Sequence, residues 1–168
     1  MSEECRIEKE PLDRQLETMI DEARMILPGE QALFGFQMIA VFNEGFSKKL
    51  APADQLVHLA AMLTVLAAMG LTIAPAAYHR LAEPETVSKH FARVTSRLLT
   101  GGLFLLMLGL AADVYVFSMV VLGSAVAAVS LAAAATVALL AMWFVYPLAS
   151  RQSRIAEIGR AEMQPTEA

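Results

Sequence analysis

The stretch from Leu98 to Ala149 constrains this chain most, because it contains no lysine or arginine and only one acidic residue, Asp113. It is about twice as long as the roughly 20 residues that a helix needs to cross the hydrocarbon core of a membrane. The chain must therefore turn once within it, and Leu122-Gly123-Ser124 is the sequence best suited to a turn. This predicts two membrane-spanning helices, at about residues 96–121 and 124–146.

Two further apolar segments precede this stretch. Leu56 to Tyr78, with the sequence LVHLAAMLTVLAAMGLTIAPAAY, is interrupted only by Pro75, which packing tolerates in a membrane helix. A segment at about residues 26–46 is less apolar, since it contains Glu30, Gln31, Gln37, Asn43 and Glu44. With 57% hydrophobic residues, the chain is predicted to be all-α, an integral membrane four-helix bundle within residues 28–149.

The distribution of basic residues tests the doubtful first span. If all four segments cross the membrane, one side receives only Lys48 and Lys49, and the other receives the remaining eleven of the 13 lysines and arginines. If the first segment does not cross, the division becomes six against seven, which is no bias. Because basic residues accumulate on the cytoplasmic side, four spans with both termini in the cytoplasm are predicted.

Residues 1–27 are predicted to form a cytoplasmic leader with an amphipathic helix, and residues 150–168 a cytoplasmic tail. The leader lacks the basic and apolar regions of a cleavable signal peptide. Pro28 and Gly29 are expected to break or kink the chain before the first span. The amphipathic helix is predicted to lie on the membrane surface or against the bundle, and the alternative is a helix that docks a partner. Its apolar positions are Leu12, Leu16, Met19, Ile20, Ala23 and Leu27.

Composition excludes several classes of site. Cys5 is the only cysteine, so the chain can form neither an intramolecular disulfide nor a metal site with several cysteines. A net charge of −4 without a basic stripe argues against nucleic acid as a partner. No motif indicates catalytic residues, a cofactor or a metal.

Small residues at steps of four predict where helices approach each other, since lipid provides no hydrophobic force between them. Close packing within one bundle is the expected result, and the alternative is a contact in a homo-oligomer. The predicted faces are Ala60, Thr64, Ala68 and Thr72 in the second span, Ser124, Ala128, Ala132 and Thr136 in the fourth, and Gly102, Gly109 and Asp113 in the third.

Glu44, His58 and Asp113 are predicted to share the outer leaflet and to form a candidate ion- or proton-binding group. Ionisable groups within spans are costly, so each is a functional candidate. Gln37 and Glu44 are seven residues apart, which predicts that both face the bundle interior. His58 is predicted to point away from the small-residue face of its own helix. The alternative is that these side chains lie at the level of the headgroups and are reached by water.

Tyr78, His79 and Arg80 form a second candidate cluster, at the inner interface. Tyr78 suits the membrane interface, while His79 and Arg80 complement the negative end of a helix dipole and anionic headgroups. The cluster is therefore predicted to anchor the helix end. The alternative is a pH-sensing or ligand-holding group that also includes His90, Glu83 and Glu85.

Three segments of the chain resemble an uncharacterised bacterial family of small four-span membrane proteins. They are PLDRQL at residues 11–16, LPG at 27–29 and APAAYHRL at 74–81, of which the last is the most specific. The family is a domain of unknown function, and some of its members carry an automatic sodium:proton antiporter label. The resemblance covers nearly the whole chain and implies a bacterial inner membrane and no known catalytic residues.

Three functions are compatible with these features. The first is a non-enzymatic accessory or structural bundle in the lipid bilayer. The second is a small cation or proton transporter that uses Glu44 and Asp113 and forms its pathway in a homo-oligomer. The third is a membrane enzyme, for which the sequence offers no recognisable group of catalytic residues.

Overall fold

The computed structural model describes residues 11–82 and 88–152, and within those ranges it contains helices and no strand. The helices are α1 (Leu12–Ala40), α2 (Glu44–Lys49), α3 (Pro52–Ala82), α4 (Lys89–Leu122) and α5 (Ala125–Leu140). A π-helical turn, Ala141–Val145, continues α5, and the helix extends to Gln152. The all-α prediction is confirmed.

Local capping chemistry fixes the reversal between α4 and α5. Gly123 follows the last residue of α4 with a φ of 62°, in the left-handed region where a side chain would be strained. Ser124 then caps α5, because its hydroxyl accepts from the backbone N–H of Ala127. The chain thus turns at the residues that the sequence indicates for the turn.

Of the break or kink predicted at Pro28 and Gly29, the break is wrong, since α1 continues through both residues. Proline removes one helical hydrogen bond, but packing against neighbouring helices can keep such a helix intact. Inward-facing residues follow one another at steps of four and three on both sides of the proline. They are Leu12, Leu16, Met19, Ala23, Ile26, Glu30, Leu33, Gln37 and Ala40.

The core of the protein consists of α1, α3 and α4. α3 and α4 are antiparallel and form the most extensive contact between helices. The buried residues of α3 also alternate at steps of four and three, the pattern of a left-handed helix pair. They are Asp54, His58, Ala61, Val65, Ala68, Thr72 and Pro75.

This pattern corrects the small-residue face predicted for the second span. Ala68 and Thr72 are buried as expected, but Ala60 is exposed and Thr64 is only half-buried. Steps of four advance about 400° around a helix, so a row of them drifts by roughly 40° at each step and leaves the contact. Alternating steps of four and three stay in it. The same drift explains why His58 is on the buried face and does not point away from it.

α1 follows α3 and α4 over most of its length, parallel to α4 and antiparallel to α3. Near its start, Leu16 packs with Phe91 and Ala92 of α4. Further along, Glu30 bonds to Thr72 of α3, and near its end Gln37 bonds to α4. α1 therefore has partners from one end of the core to the other.

The two ends of the core differ in charge. One end carries the end of α3, the start of α4 and the last residues after α5, with Arg80, Lys89, Arg93, Arg97 and Arg151; we call it the basic end. The other carries α2 with Lys48 and Lys49, and we call it the α2 end.

α5 packs on α4 at the margin of this core. Ala128 is its buried residue, and Phe104 of α4 meets Phe144 edge to face. Large apolar side chains cover much of its remaining surface, including Val126, Val129, Leu131, Val137, Met142 and Leu148. The described helices thus form a three-helix core with one peripheral helix.

Candidate functional site

A cavity of about 540 Å³ lies at the α2 end of the core. Its wall is mostly apolar, with side chains from α1, α2 and α4. Each core helix contributes one polar side chain to it, Gln37 from α1, His58 from α3 and Asp113 from α4, and Asn43 and Lys49 are also in its wall. A partly open apolar cavity with a few convergent polar groups is the usual form of a small-ligand site.

Gln37 connects these three groups. Its side-chain amide Nε2 donates to Asp113 Oδ2 at 2.7 Å, which fixes α1 to α4. Its backbone carbonyl oxygen is 2.9 Å from His58 Nε2, which connects α1 to α3. The carbonyl belongs to the last turn of α1, where helical donors run out, so the imidazole provides the missing donor.

This contact determines the tautomer of His58. A carbonyl oxygen only accepts, so Nε2 must carry a proton. The second ring nitrogen, Nδ1, is buried and has no hydrogen-bond partner in the structure, and Phe46 covers the ring edge to face at 5.0 Å between ring centroids. In a neutral imidazole Nδ1 therefore has a free lone pair, which can accept a proton.

The structure brings together two of the three residues predicted for this group. Asp113 and His58 share Gln37 and the cavity, whereas Glu44 is 85% exposed and bonds to Lys48 at 2.6 Å. The expectation that Gln37 and Glu44 face inward together is wrong, because α1 ends at Ala40 and the chain turns before α2 begins. Spacing along a helix relates two residues only if one helix contains both.

Glu30 is a buried carboxyl group that the sequence did not single out. Its side chain is 1% exposed, and Thr72 Oγ1 donates to its Oε1 at 3.2 Å, while Oε2 has no partner in the structure. Glu30 precedes Gln37 by seven residues, so the two share the inward face of α1. The spacing of Glu30 and Gln37 could have identified it, since both belong to α1.

At the basic end, Tyr78 and His79 gather around one aromatic ring. Tyr78 stacks on Phe91 at 5.7 Å between centroids, and His79 meets the same ring at 5.4 Å. Arg80 is exposed and, with His79, lines a cavity of about 370 Å³. His90 is exposed on α4, and Glu83 and Glu85 of the alternative cluster lie outside the described residues.

Within residues 11–82 and 88–152, no group of three or more histidine, cysteine, aspartate or glutamate side chains is arranged to hold a metal ion. The polar groups in the wall of the α2-end cavity are one carboxyl group, two amides, one imidazole and one ammonium group.

Three helices are long and apolar enough to cross a membrane: Pro52–Ala82, Lys89–Leu122 and Ala125–Gln152. Helices of this length and composition indicate an α-helical membrane protein. Residues 6–147 match the model of a family of unknown function, DUF6328, and the chain belongs to that family. No curated protein and no solved structure matches the chain.

Proposed function

We propose that this protein crosses the bacterial inner membrane four times, with both termini in the cytoplasm, and that it is a non-enzymatic proton transporter. The position of α1 supports the fourth span. α1 is less apolar than the other three helices, but it runs beside α3 and α4, from Leu16 near the basic end to Gln37 at the α2 end. A helix that accompanies two membrane-spanning helices along this distance crosses with them.

Burial also accounts for the low hydropathy of α1. Glu30 and Gln37, which make its sequence polar, are 1% and 4% exposed within the core and would not contact lipid. The charge difference between the ends supports the orientation, since the basic end faces the cytoplasm under the positive-inside rule. The α2 end then faces outward, and the cavity with Asp113 opens on that side.

One observation carries the proposed activity: Asp113 bonds to an amide within a membrane-embedded cavity and has no ion pair with any described residue. A charge near the centre of a membrane helix costs about 2.5–3.5 kcal/mol on insertion scales. Binding a proton removes that charge without the several oxygen ligands that a metal ion requires. A proton is therefore the cation that the site suits best.

Asp113, Gln37 and His58 have different roles in moving this proton. A proton entering through the cavity binds a carboxylate oxygen of Asp113, while Gln37 holds the other oxygen through its amide. His58 keeps its Nε2 proton on the Gln37 carbonyl and can accept a second proton at Nδ1. Water in the cavity would carry protons between these groups.

Proton flux into proteoliposomes tests the proposal. The wild-type protein should acidify a pH dye trapped in the lumen when a potential drives protons inward, and Asp113→Asn should abolish that flux. Glu44→Gln is the matched control, because this exposed carboxyl group lies outside the site and its loss should leave the flux unchanged. Equal flux in Asp113→Asn and wild type would refute the role of Asp113. If the wild-type protein carries no protons, the chain is instead an accessory or structural bundle.

A further inference from the structure

Glu30 is about 10 Å from Gln37 along α1, since seven residues separate them at 1.5 Å each. This distance is too long for direct proton transfer between Glu30 and the Asp113 site. Between the two levels α3 and α4 are in close contact: Val65 and Ala68 are 0% exposed, and Val65 packs on Gly109. An apolar layer therefore lies between Glu30 and the polar groups of the α2-end cavity.

A second cavity, of about 230 Å³, lies on the other side of Glu30, toward the basic end. Thr72, which bonds to Glu30, is part of its wall, and so is Thr95 of α4. Thr95 is 1% exposed, and its Oγ1 has no partner in the structure. A buried hydroxyl without a partner in the wall of a cavity indicates a place for water.

Two prolines add acceptors near this cavity. Pro28 and Pro75 lack an N–H, so the carbonyls of Arg24 and Leu71 lose their usual helical donors. Arg24 and Pro75 are both in the cavity wall. A cavity with two hydroxyl groups in its wall can hold ordered water, although most of the wall is apolar.

The contact between Glu30 and Thr72 suits a carboxyl group that gains and loses a proton. Thr72 Oγ1 is 3.2 Å from Glu30 Oε1 and 3.1 Å from the carbonyl oxygen of Ala68, but a hydroxyl has one proton to donate. When Thr72 donates to Ala68, a proton on Glu30 must make the contact. When Glu30 is ionised, Thr72 can turn its proton to the carboxylate. Both protonation states therefore keep a hydrogen bond.

We propose that Glu30, Thr72 and Thr95 form a second proton-binding station, which exchanges protons with the basic side through the 230 Å³ cavity. This inference rests on the proposed function, because it adds a proton-binding group on the basic side of the apolar layer, opposite the Asp113 site. In the release step the O–H bond of Glu30 breaks and its proton passes to Thr72 Oγ1, while the hydroxyl proton of Thr72, which is in the cavity wall, passes to water there. This leaves a carboxylate on Glu30, a neutral hydroxyl on Thr72 and hydronium in the water.

Few charged groups surround this station. Arg24 of α1 is the charged residue in the described cavity wall, and its side chain is exposed and paired with Asp21 at 3.2 Å. The wall residues from α3 and α4 are uncharged. The negative charge of an ionised Glu30 is thus stabilised by the hydrogen bond from Thr72 and not by a neighbouring cation.

Infrared difference spectroscopy tests the station without any need for transport. In oriented proteoliposomes, a pH change on the basic side should alter a carboxyl C=O band that is absent from Glu30→Gln, whereas the same change on the α2 side should not. The band should survive in Asp113→Asn and in Glu17→Gln, whose exposed carboxyl group on α1 is the matched control. A Glu30 band that ignores the basic side would overturn the proposal.

Flux measurements separate this proposal from the proposed function. Glu30→Gln should lower proton flux at least tenfold, and Glu30→Asp, which retains a carboxyl group, should keep more flux than Glu30→Gln. Wild-type flux in Glu30→Gln combined with loss of flux in Asp113→Asn would remove the second station and leave the Asp113 site intact. Elution volume and near-ultraviolet circular dichroism of each variant would identify a failure to fold, and in that case the Glu30→Asp result decides.

Discussion

Gly109 is the position where the contact between α3 and α4 is tightest. A Cβ atom added there would lie 2.6 Å from Val65 Cγ2, 3.6 Å from the Ala61 carbonyl oxygen and 3.7 Å from the backbone nitrogen of Val65. Val65 is 0% exposed, so its side chain has no open space to enter. Gly109→Ala must therefore push the two helices apart or force Val65 out of its rotamer.

The cost of this substitution follows from the size of the overlap. One additional methyl group in a well-packed core costs about 1–3 kcal/mol of the free energy of unfolding. Val65→Ala alone removes two methyl groups and leaves a small void, at a cost of roughly 1–2 kcal/mol. In the double variant the alanine at 109 fills that void. We expect the two costs to fall short of additivity by about 1–3 kcal/mol.

Unfolding of the protein by SDS in mixed micelles, followed by near-ultraviolet circular dichroism, gives the four free energies of this cycle. Gly70→Ala is the matched control, because Gly70 is an exposed glycine of α3 with no atom within 4 Å of its added Cβ. It should be neutral or stabilising by up to about 1 kcal/mol. Strictly additive costs for Val65→Ala and Gly109→Ala would refute the close contact.

Three further substitutions can be measured in the same titration. Ser88→Ala removes the hydroxyl that accepts from the Phe91 N–H at 3.0 Å, and should cost about 1 kcal/mol; no change would mean that α4 starts elsewhere. Gly123→Ala forces a side chain into the left-handed region, and should cost about 1–2 kcal/mol, whereas an increase in stability would contradict this turn geometry. Tyr115→Phe removes the phenol hydroxyl that donates to Asp54 Oδ1 at 2.7 Å, and should cost about 1–3 kcal/mol; no change in stability would mean that water replaces this donor at Asp54.

Features that depend on a short stretch of sequence could be predicted for this chain. The absence of lysine and arginine from Leu98 to Ala149 indicates two long helices, and glycine at 123 allows the conformation that the reversal requires. Both follow from local chemistry, since helix length and turn geometry depend on neighbouring residues. The structure has α4 and α5 on either side of this turn.

The direction in which side chains point could be predicted less well, because small errors in a helix boundary or period accumulate. Ending the first helix at residue 46 instead of Ala40 placed Glu44 on the face of Gln37, although α2 is a separate helix. Assuming steps of four in α3 directed His58 away from the core, although it lies on the buried face. Each error changed the candidate site more than it changed the fold.

The buried position of Glu30 could not be predicted, because a polar residue in a weakly apolar segment has two interpretations. A glutamate in a weakly apolar segment either argues against a membrane span or is buried against neighbouring helices. In the structure the carboxyl group faces Thr72 and is shielded from its surroundings by the core. Which of the two interpretations applies depends on how the neighbouring helices pack against Glu30, and a single sequence does not specify that packing.

The continuity of α1 through Pro28 also has a mechanical consequence. Leu16 near the basic end and Gln37 at the α2 end belong to one rod, and they are about 32 Å apart along its axis. If α1 rotates about its axis as a rigid unit, a contact that turns it at Leu16 also turns the side-chain amide of Gln37. A rotation imposed at the basic end would thus reach the hydrogen bond to Asp113 at the α2 end.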